Sequence, residues 1–527
     1  MNPPTVDEAP DSQVETQKFR SQVGHISRHS GVFFAGTILT AAVGYLFKIY
    51  LARKLGAEAL GIYSLGMTVV SLVGLFGGMG LTWAASRFPS VYQGRGKLGD
   101  LRSFLAWSLL SLVSVNTVLA LAMLGARQWI AYRLYHTPAL RQYLGLFALM
   151  MFLGALTAFF GQLLTGYKQV ALRTLIANIG GVILTAVFTI VLVEMGLGLW
   201  GYIFGGVISA VVVLVFLIGA VVRFTPSQAR SLRGPLSPPP KDMFSFAFAA
   251  FAMDVVGFLY SQTDKVILGF YLDARSVGIY AIAATIVAFL PIALQSVNQI
   301  FSPTIAELHA KGDHAMLNRL FQTLTKWIFA LTLPLAVIAI VFSTVLMRVF
   351  GKEFEAGWKI LVIGAIAQLV NCGVGSVGFL LLMSGRERRL VTIQFLVAVA
   401  TVSCCLVLVP RWGLVGAAVA AAVGNAGANV WCLWEVKKVL GLFPYNRGYA
   451  KLFLPAVATI ASAVGLRFAL AGIGGNLLTV VIATMVVYGV FLGTVLISGL
   501  DSDDRLVANA VLARLRGWIN PPQAGVA

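Results

Sequence analysis

From about residue 30 to residue 499 the chain alternates long apolar stretches with short polar breaks. A bilayer core about 30 Å thick needs roughly 20 apolar residues in helical form, and these stretches meet that length. Bounded by charges, prolines and glycine clusters, the pattern predicts fourteen spanning helices. Their expected ranges are 30–52, 59–86, 103–125, 142–165, 172–194, 199–222, 243–270, 277–302, 326–347, 360–384, 390–409, 412–434, 452–471 and 476–499. The expected fold class is an all-α polytopic membrane protein with about 14 transmembrane helices.

The pattern also repeats. Lys48–Tyr63 (KIYLARKLGAEALGIY) and Lys265–Tyr280 (KVILGFYLDARSVGIY) align without a gap at an offset of 217, with seven of sixteen positions identical. Two weaker landmarks follow in the same order. Leu163–Gly166 (LLTG) matches Leu382–Gly385 (LMSG) at an offset of 219, and Gly198–Gly201 matches Gly413–Gly416 at 215. A duplicated unit of six helices inserts both copies in the same direction, as parallel repeats about an axis normal to the membrane. The predicted organisation is a disordered tail over 1–29, a first six-helix bundle over 30–222 and a Pro-rich linker over 223–242. A second six-helix bundle over 243–434, two added helices over 435–499 and a tail over 500–527 complete it.

Composition narrows the class. The chain is 58% hydrophobic and 11% charged, against roughly 25% charged in a soluble domain. Its net charge of +19 is spread over short loops at helix ends rather than gathered in a basic domain, so nucleic acid is not an expected partner. With the N-terminus inside, inner segments carry 26 of the 39 Lys and Arg residues and outer ones 11. That bias predicts cytoplasmic N- and C-termini in a plasma (inner) membrane protein. The four cysteines lie in apolar runs without CxxC spacing, which suggests neither a metal site nor a disulfide framework. Gly94-Arg95-Gly96-Lys97 lacks the upstream Gly and following Ser or Thr of a phosphate-binding loop, and no loop could house a catalytic domain. An enzyme and a cofactor are not expected.

Charges inside the spans are the candidate chemistry, because burying them in hydrocarbon is costly. Lys48 and Lys265 form a matched pair, one on the first helix of each repeat. Either they snorkel to headgroups or they face each other across a cavity that holds an anionic headgroup. Asp254, Ser261 and Lys265 fall on one helical face, a stripe expected to line the space between the bundles, with Asp254 the candidate coupling-ion residue. Gln295, Asn298 and Gln299 share one side of the eighth span and offer amides to sugar hydroxyls. No metal ligand set stands out.

The passages FKIYLARKLGAEALGIYSLG, YSQTDKVILGFYLDARSVGIYAIA and LVPRWGLVGAAVAAAVGN resemble polysaccharide-exporting flippases of the MOP superfamily, in order and over nearly the whole chain. The resemblance implies two six-helix bundles around a central cavity that opens alternately to either side. It also implies a polyprenyl-diphosphate oligosaccharide as cargo, flipped from inner to outer leaflet for polysaccharide biosynthesis (O-antigen or exopolysaccharide). Lys48 and Lys265 would meet the diphosphate, H+ or Na+ would be the coupling ion, and membrane lipids and polysaccharide assembly proteins would be partners. A lipid II-type precursor flippase and a multidrug cation antiporter of the same superfamily are the alternatives. The antiporter calls for acidic cavity residues in the first bundle, whose six expected helices hold no acid before Glu194.

Overall fold

The computed structural model describes residues 10–230, 241–446, 448–470, 477–499, 501 and 503–505, and for 10–41, 230, 241, 242, 244 and 300 the backbone path alone. All regular elements among the described residues are helices. The principal ones are α1 (Pro10–Gly78), α2 (Leu81–Gly94), α3 (Leu98–Gly125), α4 (Leu140–Gly166), α5 (Val170–Phe224), α6 (Lys241–Tyr271) and α7 (Ala274–Phe289). They continue as α8 (Ile292–Ala310), α9 (His314–Val341), α10 (Trp358–Val374), α11 (Val377–Met383), α12 (Glu387–Leu440), α13 (Phe453–Ala469) and α14 (Leu477–Ser498).

Among the described residues ten helices are long and apolar enough to cross a membrane, or eleven if α7 and α8, bent by 49° at Pro291, act as one. Three of these segments contain glycine-marked breaks. The 55 residues of α5 would reach about 80 Å if straight, far beyond a bilayer core. Instead the chain turns at Gly196 and Gly198, and the two arms pack so closely that a Cβ on Gly205 would sit 2.5 Å from Thr189 Oγ1. Helix α12 turns at Gly413, and a Cβ on Gly424 would meet Thr401 Oγ1 at 2.2 Å. Helix α1 breaks at Gly56. Each of these three segments holds two of the expected spans.

One further expectation differs at the N-terminus. Of the tail expected over 1–29, residues 1–9 lie outside the described part, but the helix begins at Pro10. Proline fits the first helical position, and the Gln, Glu, Lys and Arg that follow are good helix formers, so polarity did not imply a missing helix. Residues 231–240 of the expected linker and 506–527 of the expected C-terminal tail lie outside the described part as well.

The repeat becomes geometry where α1 crosses α7. A Cβ on Gly61 would lie 1.7 Å from the Ala274 carbonyl oxygen, and one on Gly278 would lie 1.9 Å from the Ala57 carbonyl oxygen. Gly61 and Gly278, like Ala57 and Ala274, are equivalent positions of the repeat. The two halves therefore meet reciprocally, glycine against carbonyl, as a local two-fold axis demands. One apolar core runs through this crossing, from Leu51, Ala57 and Leu65 to Val277 and Ala283.

Helices α13 and α14 pack on each other and on α9, outside the repeated units. A short segment after α14 ties them down. Lys326 on α9 donates to Asp504 at 2.5 Å and to Asp501 at 3.0 Å, while Arg319 pairs with Asp503 at 2.6 Å. Lys326 and Asp504 are both buried. Removing one partner leaves the other as an uncompensated charge, so Lys326→Met is expected to cost about 3 kcal/mol, read as a lower unfolding midpoint in detergent. The hydrogen bond from Lys451 holds the Asp501 carboxyl below its usual range. Its contribution is thus complete above the ordinary aspartate pKa and fades as pH falls through and below roughly 4.

Candidate functional site

The closed crossing of α1 and α7 roofs a cavity of about 430 Å³ between the halves. Lys48 and Lys265 both line it, one from each repeat. The Lys48 ammonium donates to Thr285 Oγ1 at 2.9 Å, which places it against α7 of the opposite half. The Lys265 ammonium donates to Gln262 Oε1 at 2.9 Å. Both lysines are half-buried, and each makes one neutral hydrogen bond, leaving further donors for a ligand. On the first-half wall Tyr63 stacks on Tyr202 with ring centroids 4.0 Å apart, and Ser64, Thr68 and Ser71 follow along α1. Aromatic faces beside hydroxyls and ammonium groups can take both a sugar and an anion.

A second cavity of about 240 Å³ lies within the second half and shares Lys265, Ala284 and Ala288 with the first. Ser261 lines it, as do Gln368 and Asn425. It also holds Asp264, which the sequence analysis passed over. Tyr280 Oη donates to Asp264 Oδ2 at 2.6 Å. The signal was available: Asp264 immediately precedes the matched lysine, and its equivalent in the first repeat is Phe47, so the two copies differ in charge at that point.

Asp254 stands lower on α6 and faces the first half, accepting the indole N–H of Trp83 on α2 at 3.0 Å. Near it, a Cβ on Gly80 would lie 1.9 Å from the Ala247 carbonyl oxygen, and the Arg87 guanidinium sits 4.9 Å from the centre of the Phe246 ring. The stripe of Asp254, Ser261 and Lys265 thus borders the inter-half space, although Asp254 is engaged to Trp83 and lines neither cavity.

The amide cluster goes elsewhere. Gln295, Asn298 and Gln299 lie on α8 beyond the bend at Pro291, and none of them lines either cavity. Gln295 and Gln299 are exposed and Asn298 is buried. The bend is the reason: it turns the end of the eighth span out of line with α7, which carries Thr285 and Ala288 into the cavity. Among the described residues no group of three or more His, Cys, Asp or Glu side chains could hold a metal ion.

Contacts between the halves bound the cavity toward two ends. At one, which we call the Gly56 face, lies the Gly61–Gly278 crossing; at the other lie the Gly80–Ala247 and Trp83–Asp254 contacts.

Against known proteins, residues 50–357 match a family described as "Polysaccharide biosynthesis protein". The chain is 22% identical over 446 residues to a "Probable flippase AglR" of Haloferax volcanii, covering 82% of this chain and 88% of that protein. It is 24% identical over 457 residues to the "Succinoglycan biosynthesis transport protein ExoT" of Rhizobium meliloti, covering 85% and 86%. Among solved structures, the lipid II flippase MurJ in an inward closed conformation superposes with a TM-score of 0.70 at 15% identity, covering 88% of this chain and 98% of that one. That likeness fixes the fold as a polytopic helical one of the same kind.

Proposed function

We propose, from the premise that this chain belongs to the polysaccharide biosynthesis protein family, that it is a flippase for a lipid-linked oligosaccharide. The observation that carries this reading is the presence of Lys48 and Lys265 on opposite walls of one cavity. A sugar diphosphate loses its hydration in hydrocarbon with nothing to replace it. Two ammonium groups, the Tyr63–Tyr202 stack and the α1 hydroxyls supply that replacement while a polyprenyl tail stays in lipid. A cationic drug would find no carboxylate on the first-half wall of the cavity, where Lys48 is the charged group.

With both termini inside, the Gly56 face is the outer one and the Gly80–Ala247 end the inner one. Opening the inner end admits the headgroup from the inner leaflet, and opening the outer end with the inner one closed releases it outside. Asp254 is the residue placed to couple this exchange to an ion, since a proton or Na+ on its carboxylate competes with the Trp83 indole at the inner closure. Asp254→Asn is expected to leave flipping in place and to remove its dependence on a proton or sodium gradient, measured in proteoliposomes under imposed gradients. An unchanged gradient dependence would clear Asp254 of that role. The parent reading is tested by the same vesicles loaded with short-chain polyprenyl-diphosphate oligosaccharide. Flipping of that lipid, without flipping of an uncharged glycolipid of equal chain length, is the expected result.

A further inference from the structure

The two copies of the repeat begin their second helix differently. In the second copy Asp273 caps α7 from within, accepting the backbone N–H of Ser276 at 3.3 Å. In the first copy the equivalent position is Gly56, which has no side chain to cap with. The first N–H of that helix, from Ala57, instead donates to Glu353 Oε1 at 2.7 Å, and Glu353 belongs to the other half, in the segment between α9 and α10. Gly56 makes the room: its backbone sits at φ 79°, ψ 175°, a region open essentially to glycine, and a Cβ there would press on Glu353 Oε1 at 3.0 Å. The other Glu353 oxygen lies 3.7 Å from Arg275 at the start of α7. Beside it, Arg53 donates to the Val349 carbonyl oxygen at 2.8 Å, again across the halves.

We infer that Glu353 is the latch of the Gly56 face: it holds the cavity shut there by capping, from the second half, a helix that the first half leaves uncapped. The inference rests on the alternating-access reading above. Its logic is that of the orphan amide. In the closed state the Ala57 N–H is buried at the contact with the opposite half, where the Glu353 carboxylate accepts it. When the halves part at this face, water reaches the amide and the carboxylate is no longer needed. Glu353 therefore stabilises the closed face selectively. Its equivalent in a symmetric molecule would be unnecessary, because Asp273 already caps α7. The first repeat has exchanged an internal cap for one shared with its partner, and that exchange makes helix capping sensitive to the state of the gate.

The test reads the gate without cargo, so its outcome is separate from that of the flipping assay. A cysteine introduced as Ala288→Cys, on the wall shared by both cavities, is labelled by a membrane-impermeant methanethiosulfonate in vesicles of each orientation, with the chain lacking that cysteine as background. Glu353→Ala is expected to raise the labelling rate from the Gly56 face about tenfold, the factor one charge-assisted hydrogen bond supplies. Glu353→Gln keeps an acceptor for Ala57 and loses the attraction to Arg275, so a smaller rise is expected. A labelling rate from the Gly56 face within twofold of the parent for Glu353→Ala overturns the latch. Should that variant be absent from the membrane, Glu353→Gln decides alone: an unchanged rate overturns the proposal and a raised one supports it.

Discussion

Lys48→Ala combined with Lys265→Ala is expected to lower the flipping of a polyprenyl-diphosphate oligosaccharide by two or more orders of magnitude. Hydrogen bonds to charged groups are worth roughly 1.5–3 kcal/mol each, and every 1.4 kcal/mol is a factor of ten. Each single alanine variant should then lose about tenfold or more, with the losses close to multiplicative if each ammonium holds its own part of the headgroup. The measurement is initial flipping rate against lipid concentration in proteoliposomes. A rise in the half-saturating concentration at constant maximal rate would mark a group that binds cargo equally throughout the cycle. Lys48→Arg and Lys265→Arg keep the charge and should retain most activity. The cavity sets two like charges on one lining, with the nearby carboxylate of Asp264 tied to Tyr280. Removing one lysine should therefore raise the unfolding midpoint of the unloaded protein while lowering its transport, the signature of a site held ready for an anion. Lysines that merely anchored the helices to headgroups would show neither change.

Most of the fold could be read from the chain because a membrane simplifies the problem: apolar length reports spans. Lys48 and Lys265 stood out for the same reason, and the structure brings both to the lining of one cavity. The shape of each break was not legible. The sequence divides the run near Gly413, but a glycine inside an apolar run can be a bend of a few degrees or a complete reversal, and only packing shows that α12 doubles back there. Periodicity places Gln295, Asn298 and Gln299 on one face, but the Pro291 bend decides where that face points. Asp264 and Glu353 were missed for a different cause. Their meaning depends on partners far along the chain or on comparing the repeats position by position, where the informative sites are those that differ: Phe47 against Asp264, and Gly56 against Asp273.

The positions that agree between the repeats carry the second large effect. Gly61→Ala and Gly278→Ala are each expected to prevent full closure of the Gly56 face, and the double variant to abolish transport. A methyl group on Gly61 would sit 1.7 Å from the Ala274 carbonyl oxygen, and one on Gly278 1.9 Å from that of Ala57. Carbon and carbonyl oxygen approach to about 3.3–3.6 Å in the tightest favourable contacts, so α1 and α7 must separate by about 1.5 Å to admit either methyl. The obstacle is backbone on both sides, and no rotamer change relieves it. Overpacking of this kind costs about 1–3 kcal/mol, a five- to hundredfold shift against the closed state. Because the crossing lies on the pseudo-two-fold axis, the two single variants push the same helices apart in the same sense, and their effects should resemble each other in size. Thiol labelling of Ala288→Cys from the Gly56 face should rise in both, while the Trp83–Asp254 closure at the other end stays intact and labelling from that side stays low. Equal labelling from both faces would mean that the halves come apart altogether, and unchanged labelling would mean that this crossing opens and closes nothing.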